Sequence, residues 1–116
     1  LPGPPILSKS DRTVLKIKQH LEDTWQQTHD LNQLAREHGL SPSVFRRIWN
    51  HLVGIPPHRY VIERRMIHAR KMLAETAMNI SEIAYAVGYE DPLYFSRLFR
   101  KNTGISASMY RRYYRT

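Results

Sequence analysis

The feature that most constrains this chain is an internal repeat. Residues 31–60 and 80–110 align with eight identities, first at an offset of 49 residues and, after one inserted residue, at an offset of 50. Eight identities that fall on turn-forming, apolar and basic residues indicate a duplicated structural unit rather than chance. The identical pairs are Ala35 and Ala84, Gly39 and Gly88, Pro42 and Pro92, Phe45 and Phe95, Arg47 and Arg97, Gly54 and Gly104, Ile55 and Ile105, and Tyr60 and Tyr110.

Each copy predicts two helices joined by a tight turn. The first helix follows an N-cap residue, Asp30 or Asn79, that is paired with Gln or Glu three residues later, and it ends at a glycine suited to a left-handed position. The second helix begins with an N-cap residue followed by proline, which is a strong start signal. This order is the helix-turn-helix pattern. The second helices are predicted over Pro42–Leu52 and Pro92–Asn102.

The start of the chain predicts an irregular arm and then a further helix. Residues 1–11 are rich in proline and lack a helical period, so we interpret them as a linker remnant or a disordered arm. Apolar residues recur at helical spacing from about Thr13 to Gln26. The alternation with a period of two that strands would show is absent, and we therefore expect an all-α fold of about seven helices.

A longer helix is predicted between the two copies, over residues 57–75. We expect one domain over 12–116, with a first helix-turn-helix subdomain (12–55), a linker helix (56–76) and a second helix-turn-helix subdomain (77–116). The apolar stripe of the long helix is Ile62, Met66, Ala69 and Leu73, and its other faces carry Arg59, Arg64, Arg65, Arg70 and Lys71.

Positive charge is concentrated in the later part of the chain. The net charge is +8 and the isoelectric point is about 10.1. Residues 1–40 carry five basic and five acidic side chains, whereas residues 41–116 carry thirteen basic and five acidic ones. Such an excess favours a polyanionic partner, because it attracts phosphate by long-range electrostatics. A well-solvated basic surface is the alternative interpretation.

The sequence offers little for catalysis. It has no cysteine, so disulfides, thiolate catalysis and cysteine zinc sites are excluded. Its six histidines show no spacing typical of zinc ligands, and its acidic residues are sparse. We therefore expect no enzyme, no catalytic residue, no cofactor and no metal. There is neither a run of about 18 apolar residues nor a secretory signal, so no membrane partner is expected. The chain begins at Leu1 rather than Met and is expected to be part of a longer protein.

Polar side chains, with Leu93 among them, line one face of the second helix in each copy. Arginine forks onto guanine, serine and asparagine bond base edges or phosphate, leucine can touch a thymine methyl group, and lysine and arginine bind phosphate. We therefore predict contacts with a nucleic acid at these positions. The candidate base contacts are Ser43, Arg46, Arg47, Asn50, Leu93, Ser96 and Arg97, and the candidate phosphate contacts are Arg100, Lys101, Arg111, Arg112 and Arg115.

Two segments carry a resemblance to a known family. ISEIAYAVGYEDPLYFSRLFRKNTGISASMYRR, residues 80–112, resembles the C-terminal signature of the AraC/XylS family of bacterial transcription regulators, and RMIHARKML, residues 65–73, resembles the linker helix of that family. The resemblance covers about residues 13–116. It implies seven helices, with two helix-turn-helix units that place recognition helices in successive major grooves of double-stranded DNA. The chain departs from many members at Pro42, Pro92 and Leu93.

The resemblance also implies a setting for the chain. It implies sequence-specific DNA binding in the cytoplasm as part of a regulator, and activation is the more common role. RNA polymerase is then a further candidate partner, and a sensory or dimerisation domain is expected in the missing N-terminal part. The alternative is a basic helical module that binds RNA or a protein and does not read DNA sequence.

Overall fold

A computed structural model describes residues 6–115 as seven α-helices joined by short turns, with no strand in that part of the chain. The predicted all-α fold and its number of helices are confirmed. No helix within these residues has the length and apolar character needed to cross a bilayer. The helices are α1 (Lys9–Asp23), α2 (Leu31–Glu37), α3 (Pro42–Val53), α4 (Pro57–Glu75), α5 (Ile80–Ala86), α6 (Pro92–Thr103) and α7 (Ala107–Tyr114).

The first helix begins earlier than its sequence pattern indicated. The Ser8 hydroxyl accepts a hydrogen bond from the Asp11 amide, and the Asp11 carboxylate accepts one from the Ser8 amide, each at 3.0 Å. This capping box starts α1 at Lys9. The arm predicted over 1–11 was therefore too long, since residues 9–11 are helical, and residues 1–5 lie outside the described residues.

The chain forms two compact units. The first unit extends to Thr24 and continues from His29 to Val61, and the second comprises Trp25–Thr28 and the residues from Ile62 onward. The division falls inside α4, the helix that corresponds to the linker helix predicted over 56–76. The short loop that follows α1 therefore packs with the second unit, which no local sequence pattern indicated.

The core of the first unit comes from three helices. α1 contributes a stripe at helical spacing, and α3 contributes two fully buried aromatic rings. The indole nitrogen of Trp49 donates to the Ile55 carbonyl at 2.7 Å, so the buried ring keeps a partner for its polar atom. The buried residues are Val14, Ile17, Leu21, Leu34, Ala35, Phe45 and Trp49.

The core of the second unit repeats this pattern on α4 instead of α1. Met66, Ala69 and Leu73 of the predicted stripe are fully buried, and Ile62 packs against them. α5 and α6 add apolar side chains at the positions that match those of α2 and α3. These added residues are Ile83, Ala84, Phe95 and Phe99, and Val87, which follows α5 at the position of His38, adds a further buried apolar side chain.

Equivalent aromatic contacts confirm the repeat in three dimensions. In the first unit, the rings of Trp49 and Tyr60 meet edge to face with centroids 5.4 Å apart. In the second, the rings of Phe99 and Tyr110 meet in the same manner at 5.6 Å. Tyr60 and Tyr110 are both half-buried.

Candidate nucleic-acid interface

The turn before each second helix has the same backbone geometry in both units. Gly39 has φ +77° and Gly88 has φ +99°, which is the left-handed region that glycine tolerates best. The Leu40 amide donates to the Ala35 carbonyl at 2.9 Å, and the Tyr89 amide donates to the Ala84 carbonyl at the same distance. These bonds close the first helix and reverse the chain, so they set the direction in which α3 and α6 leave.

Side-chain caps then start the two second helices. The Ser41 hydroxyl accepts from the Val44 amide at 3.2 Å, and the Asp91 carboxylate accepts from the Leu93 amide at 2.9 Å. Proline follows each cap at the first helical position, as predicted. Both helices are 12 residues long and end one residue later than the sequence suggested, before a left-handed glycine.

α3 turns its predicted base contacts to solvent. Phe45 and Trp49 are fully buried, and the candidate residues occupy the opposite face of the helix. Their spacing of three and four residues brings them together as a single exposed strip. The strip consists of Ser43, Arg46, Arg47 and Asn50, all exposed.

α6 presents an equivalent but chemically different strip. Leu93, Arg97 and Arg100 are exposed and follow one another at helical spacing. Lys101 is also exposed, beside Arg100. Ser96 is half-buried at the edge of the strip, so it is less accessible than Arg46, its counterpart in the repeat.

The arginines of the two strips form no hydrogen bond or ion pair with the described part of the chain. Within residues 6–115, the guanidinium groups of Arg46, Arg47, Arg97 and Arg100 have neither a hydrogen-bond acceptor nor an ion-pair partner. No acidic residue occurs in α3 or α6. An anion can therefore bind these groups without first displacing a carboxylate, and planar guanidinium groups suit both phosphate and guanine.

α6 is anchored to α4 at its C-terminal end. The side-chain amide of Asn102 donates to the Glu63 carboxylate at 3.1 Å, and Arg70 donates to the Asn102 oxygen at 3.5 Å. These contacts lie opposite the exposed strip of α6. They hold the helix in place while its arginines remain free for a ligand.

The predicted phosphate contacts of α7 fall into two groups. Arg112 and Arg115 are exposed. Arg111 is half-buried, and its guanidinium donates to the Leu73 carbonyl at 3.0 Å and to the Thr76 carbonyl at 3.2 Å. Arg111 therefore caps the end of α4, and its phosphate contact remains a prediction that would have to coexist with these bonds.

Arg65 has a structural role that the sequence pattern did not indicate, since it was grouped with the outward basic residues of α4. Arg65 is only 8% exposed. It donates to the Trp25 carbonyl at 2.9 Å and to the Gln27 carbonyl at 2.8 Å, and its guanidinium lies 4.8 Å from the centre of the Tyr89 ring. One signal was available, because position 65 lies three residues after Ile62, within the apolar stripe.

Arg65 and the loop at residues 25–28 close over the turn between α5 and α6. A Cβ atom added to Gly88 would lie 2.3 Å from the Gln26 carbonyl oxygen and 3.0 Å from the guanidinium carbon of Arg65. At Gly39, the equivalent atom would meet nothing within 4 Å. The two turns therefore share a backbone conformation, but only the second is enclosed.

Comparison with known proteins agrees with this arrangement. A sequence model of the helix-turn-helix domain matches residues 34–113. The arabinose operon regulatory protein of Escherichia coli K12 is 32% identical over 108 residues, covering 93% of this chain and 36% of that protein. The lactose operon transcription activator of Staphylococcus xylosus is 33% identical over 115 residues, covering 96% and 41%. The chain thus spans less than half the length of these curated relatives.

A solved structure with similar sequence has the same fold. The C-terminal domain of AraT, a response regulator from Geobacillus stearothermophilus, is 30% identical and superimposes with a TM-score of 0.85. The match covers 94% of this chain and 91% of that domain. With its duplicated helix-turn-helix and these matches, the chain belongs to the AraC/XylS family, as a C-terminal DNA-binding domain of transcription regulators.

Proposed function

We propose that this chain reads the sequence of double-stranded DNA with α3 and α6, each in a major-groove segment of one duplex. The observation that carries the proposal is the pair of exposed, unpaired arginine strips on the second helices of a duplicated helix-turn-helix. In this motif the second helix enters the major groove, whose width admits an α-helix. A duplication then supplies two readers for one binding site.

The base contacts follow from side-chain chemistry. Arg46, Arg47 and Arg97 have the two parallel donors that match guanine O6 and N7. Asn50 matches the N6 and N7 edge of adenine, and Ser43 bonds a base edge or a phosphate. Ser96 contacts a base from the margin of the α6 strip, where it is half-buried.

The phosphate contacts supply affinity rather than specificity. Arg100 and Lys101 lie at the C-terminal end of α6, and Arg112 and Arg115 are exposed on or just after α7. Each phosphate neutralised by such a group releases condensed counterions, so affinity falls as salt rises. Arg111 is the weakest candidate of this set, because two carbonyl groups already share its guanidinium.

The setting of the chain is also a proposal. Relatives that the chain covers to 36% and 41% include an operon regulatory protein and a transcription activator. We infer that the rest of a longer regulator holds a sensory or dimerisation domain. We also infer that the regulator activates transcription in the cytoplasm through contact with RNA polymerase.

Binding-site selection from random duplex DNA at fixed salt tests the reading function. We expect a selected site with two conserved elements whose centres are about one helical turn, 10–10.5 base pairs, apart. Footprinting on that site should protect roughly 20 base pairs, because two reading helices cover about two turns. Selection that returns no consensus would reject sequence-specific reading.

Two comparisons separate this function from its alternatives. Affinity for single-stranded RNA of the same length and charge should be weaker than for the selected duplex, since A-form or unpaired RNA lacks the accessible major groove. Lys16→Ala is the control variant in these binding measurements and should bind the selected duplex as the wild type does, because Lys16 is exposed on α1, outside both strips. An RNA preference, or equal binding to every duplex, would favour a generic basic module.

A further inference from the structure

Leu93 is an unusual residue for a DNA-reading strip. Its side chain is 68% exposed at the N-terminal turn of α6. Single exposed leucines are common on protein surfaces, so exposure alone indicates nothing. What matters is the face of the helix on which this leucine lies.

Leu93 belongs to the cationic strip of α6. Arg97 follows it by four residues and Arg100 by seven, which places the three side chains on one face. Both arginines are exposed and have no partner within residues 6–115. A polyanion that binds these arginines would therefore also cover Leu93.

The repeat shows that this position differs between the two units. Ser43 is the counterpart of Leu93, since each comes one residue after the proline that starts its helix. The backbone of Leu93 is held by the Asp91 carboxylate, which accepts from its amide at 2.9 Å. The first unit therefore offers a hydroxyl group where the second unit offers an apolar side chain on a fixed first turn.

Phosphate does not suit this end of α6. Glu90 and Asp91 are exposed immediately before the helix, and their negative charges oppose a phosphate group there. The part of the DNA that Leu93 can then contact is the edges of the bases. In the major groove, the apolar group that they display is the 5-methyl group of thymine.

The geometry points to Leu93 as a reader of the 5-methyl group of a pyrimidine, either thymine or 5-methylcytosine. The inference rests on the proposed function, because it requires α6 to lie in the major groove. Leu93 and Arg97 are four residues apart, or about 6 Å along the helix. The methylated pyrimidine should therefore lie about two base pairs from the base that Arg97 contacts.

Replacing thymine by uracil tests the inference, because it removes the methyl group and leaves base pairing unchanged. In the selected duplex, each thymine is replaced singly and the dissociation constant is measured at fixed salt. We expect one replacement near the Arg97 contact to weaken binding about fourfold, the effect of losing one buried methyl group. A cytosine placed there should bind more tightly when it is 5-methylated.

Variants of the protein assign the effect to Leu93. Leu93→Ser, which copies the first unit, should bind thymine and uracil duplexes equally, whereas Leu93→Met should still prefer thymine. Arg97→Ala locates the neighbouring base. Lys16→Ala, at an exposed position on α1 outside both strips, is the control and should leave the thymine preference unchanged. Far-UV circular dichroism should show that each variant remains folded.

The possible failures are distinct. A consensus site with no uracil effect, or an effect that persists in Leu93→Ser, would overturn the inference and leave the proposed function intact. If Leu93→Ser changed no duplex affinity, the leucine would make no contact with the bases, which also overturns it. Selection without any consensus would reject the proposed function, and the inference with it.

Discussion

Arg46 and Arg47 are adjacent in sequence but point along different lines of the same exposed face of α3, since neighbouring helical residues are about 100° apart. Two such groups are expected to contact different bases rather than share one. Neither is held by an acidic neighbour within residues 6–115. Their energetic contributions should therefore be separable.

We expect Arg46→Ala and Arg47→Ala each to weaken binding to the selected site by about 1–3 kcal/mol and to relax the preference at one base pair. The relaxed position should differ between the two variants. Repeating the selection with each variant measures this directly. Equal losses on all sequences would show instead that these arginines hold phosphate.

Arg100 should behave differently, because it lies at the end of the α6 strip. Arg100→Ala should weaken binding to every duplex and reduce the slope of log affinity against log salt by about one. Titrations at several salt concentrations give the slope, and Lys16→Ala should leave it unchanged. A slope identical to that of the wild type would contradict phosphate contact by Arg100.

At the scale of the elements, the helix starts and turns were predicted with unequal success. The left-handed glycines, the N-caps and the proline starts of both units were predictable, because each rests on residues within four positions of one another. The starts of α3 and α6 were therefore correct to the residue. The start of α1 was missed, since Asp11 stood in place of the usual Glu or Gln of a capping box and the preceding prolines suggested an arm.

A matched pair of substitutions should distinguish backbone strain from crowding. Gly39→Ala should destabilise the fold by about 1–2 kcal/mol, the cost of a left-handed alanine. Gly88→Ala should cost a further ~1–3 kcal/mol, because its Cβ would collide with the Gln26 carbonyl. Urea unfolding of both variants provides the measurement, and equal free energies of unfolding would show that the second turn is not enclosed.

Arg65 should be essential to the second unit although it touches no predicted DNA contact. Arg65→Lys retains the charge but loses the forked donors that bind the Trp25 and Gln27 carbonyls. We expect a loss of about 2–4 kcal/mol in the free energy of unfolding. Arg112→Lys, at an exposed site on α7, is the control and should be neutral. A neutral Arg65→Lys would mean that these bonds are replaced by water.

At the scale of the whole chain, stability should depend on pH through His68. Its ring stacks on Trp25 with centroids 3.8 Å apart, and burial, with the nearby charges of Arg64 and Lys71, lowers the pKa of the imidazole below its usual 6.5. The folded state therefore disfavours protonation, and stability present above about pH 6.5 is lost as the pH falls below it.

The test compares the wild type with His68→Gln. The free energy of unfolding of the wild type should fall more steeply between about pH 7 and pH 5 than that of the variant. Only in the wild type does the unfolded state bind a proton at His68 more readily than the folded state, where the ring is desolvated. Parallel curves for the two proteins would show that His68 does not contribute. The remaining histidines are common to both proteins and cancel in the comparison.

At the scale of the whole molecule, the repeat could be predicted from the sequence, whereas contacts between distant residues could not. The repeat was visible because matching residues recur at an offset of 49 and, after one inserted residue, of 50. The pairs of helices, the core aromatic residues and the two exposed strips could be predicted from it. Arg65 binds carbonyl groups some forty residues earlier, and Arg111 binds carbonyl groups more than thirty residues earlier. Contacts between such distant positions leave no periodic trace, so two structural arginines looked like surface charge.

The duplication has an evolutionary consequence. Because each reading helix sits on its own turn, cap and buried aromatic pair, a substitution on one exposed strip leaves the other strip unaltered. In a regulator of this design, the base contacts of one helix can change while the other helix still binds its own half of the site. New DNA specificities can then arise stepwise, without an intermediate that has lost all affinity for its site.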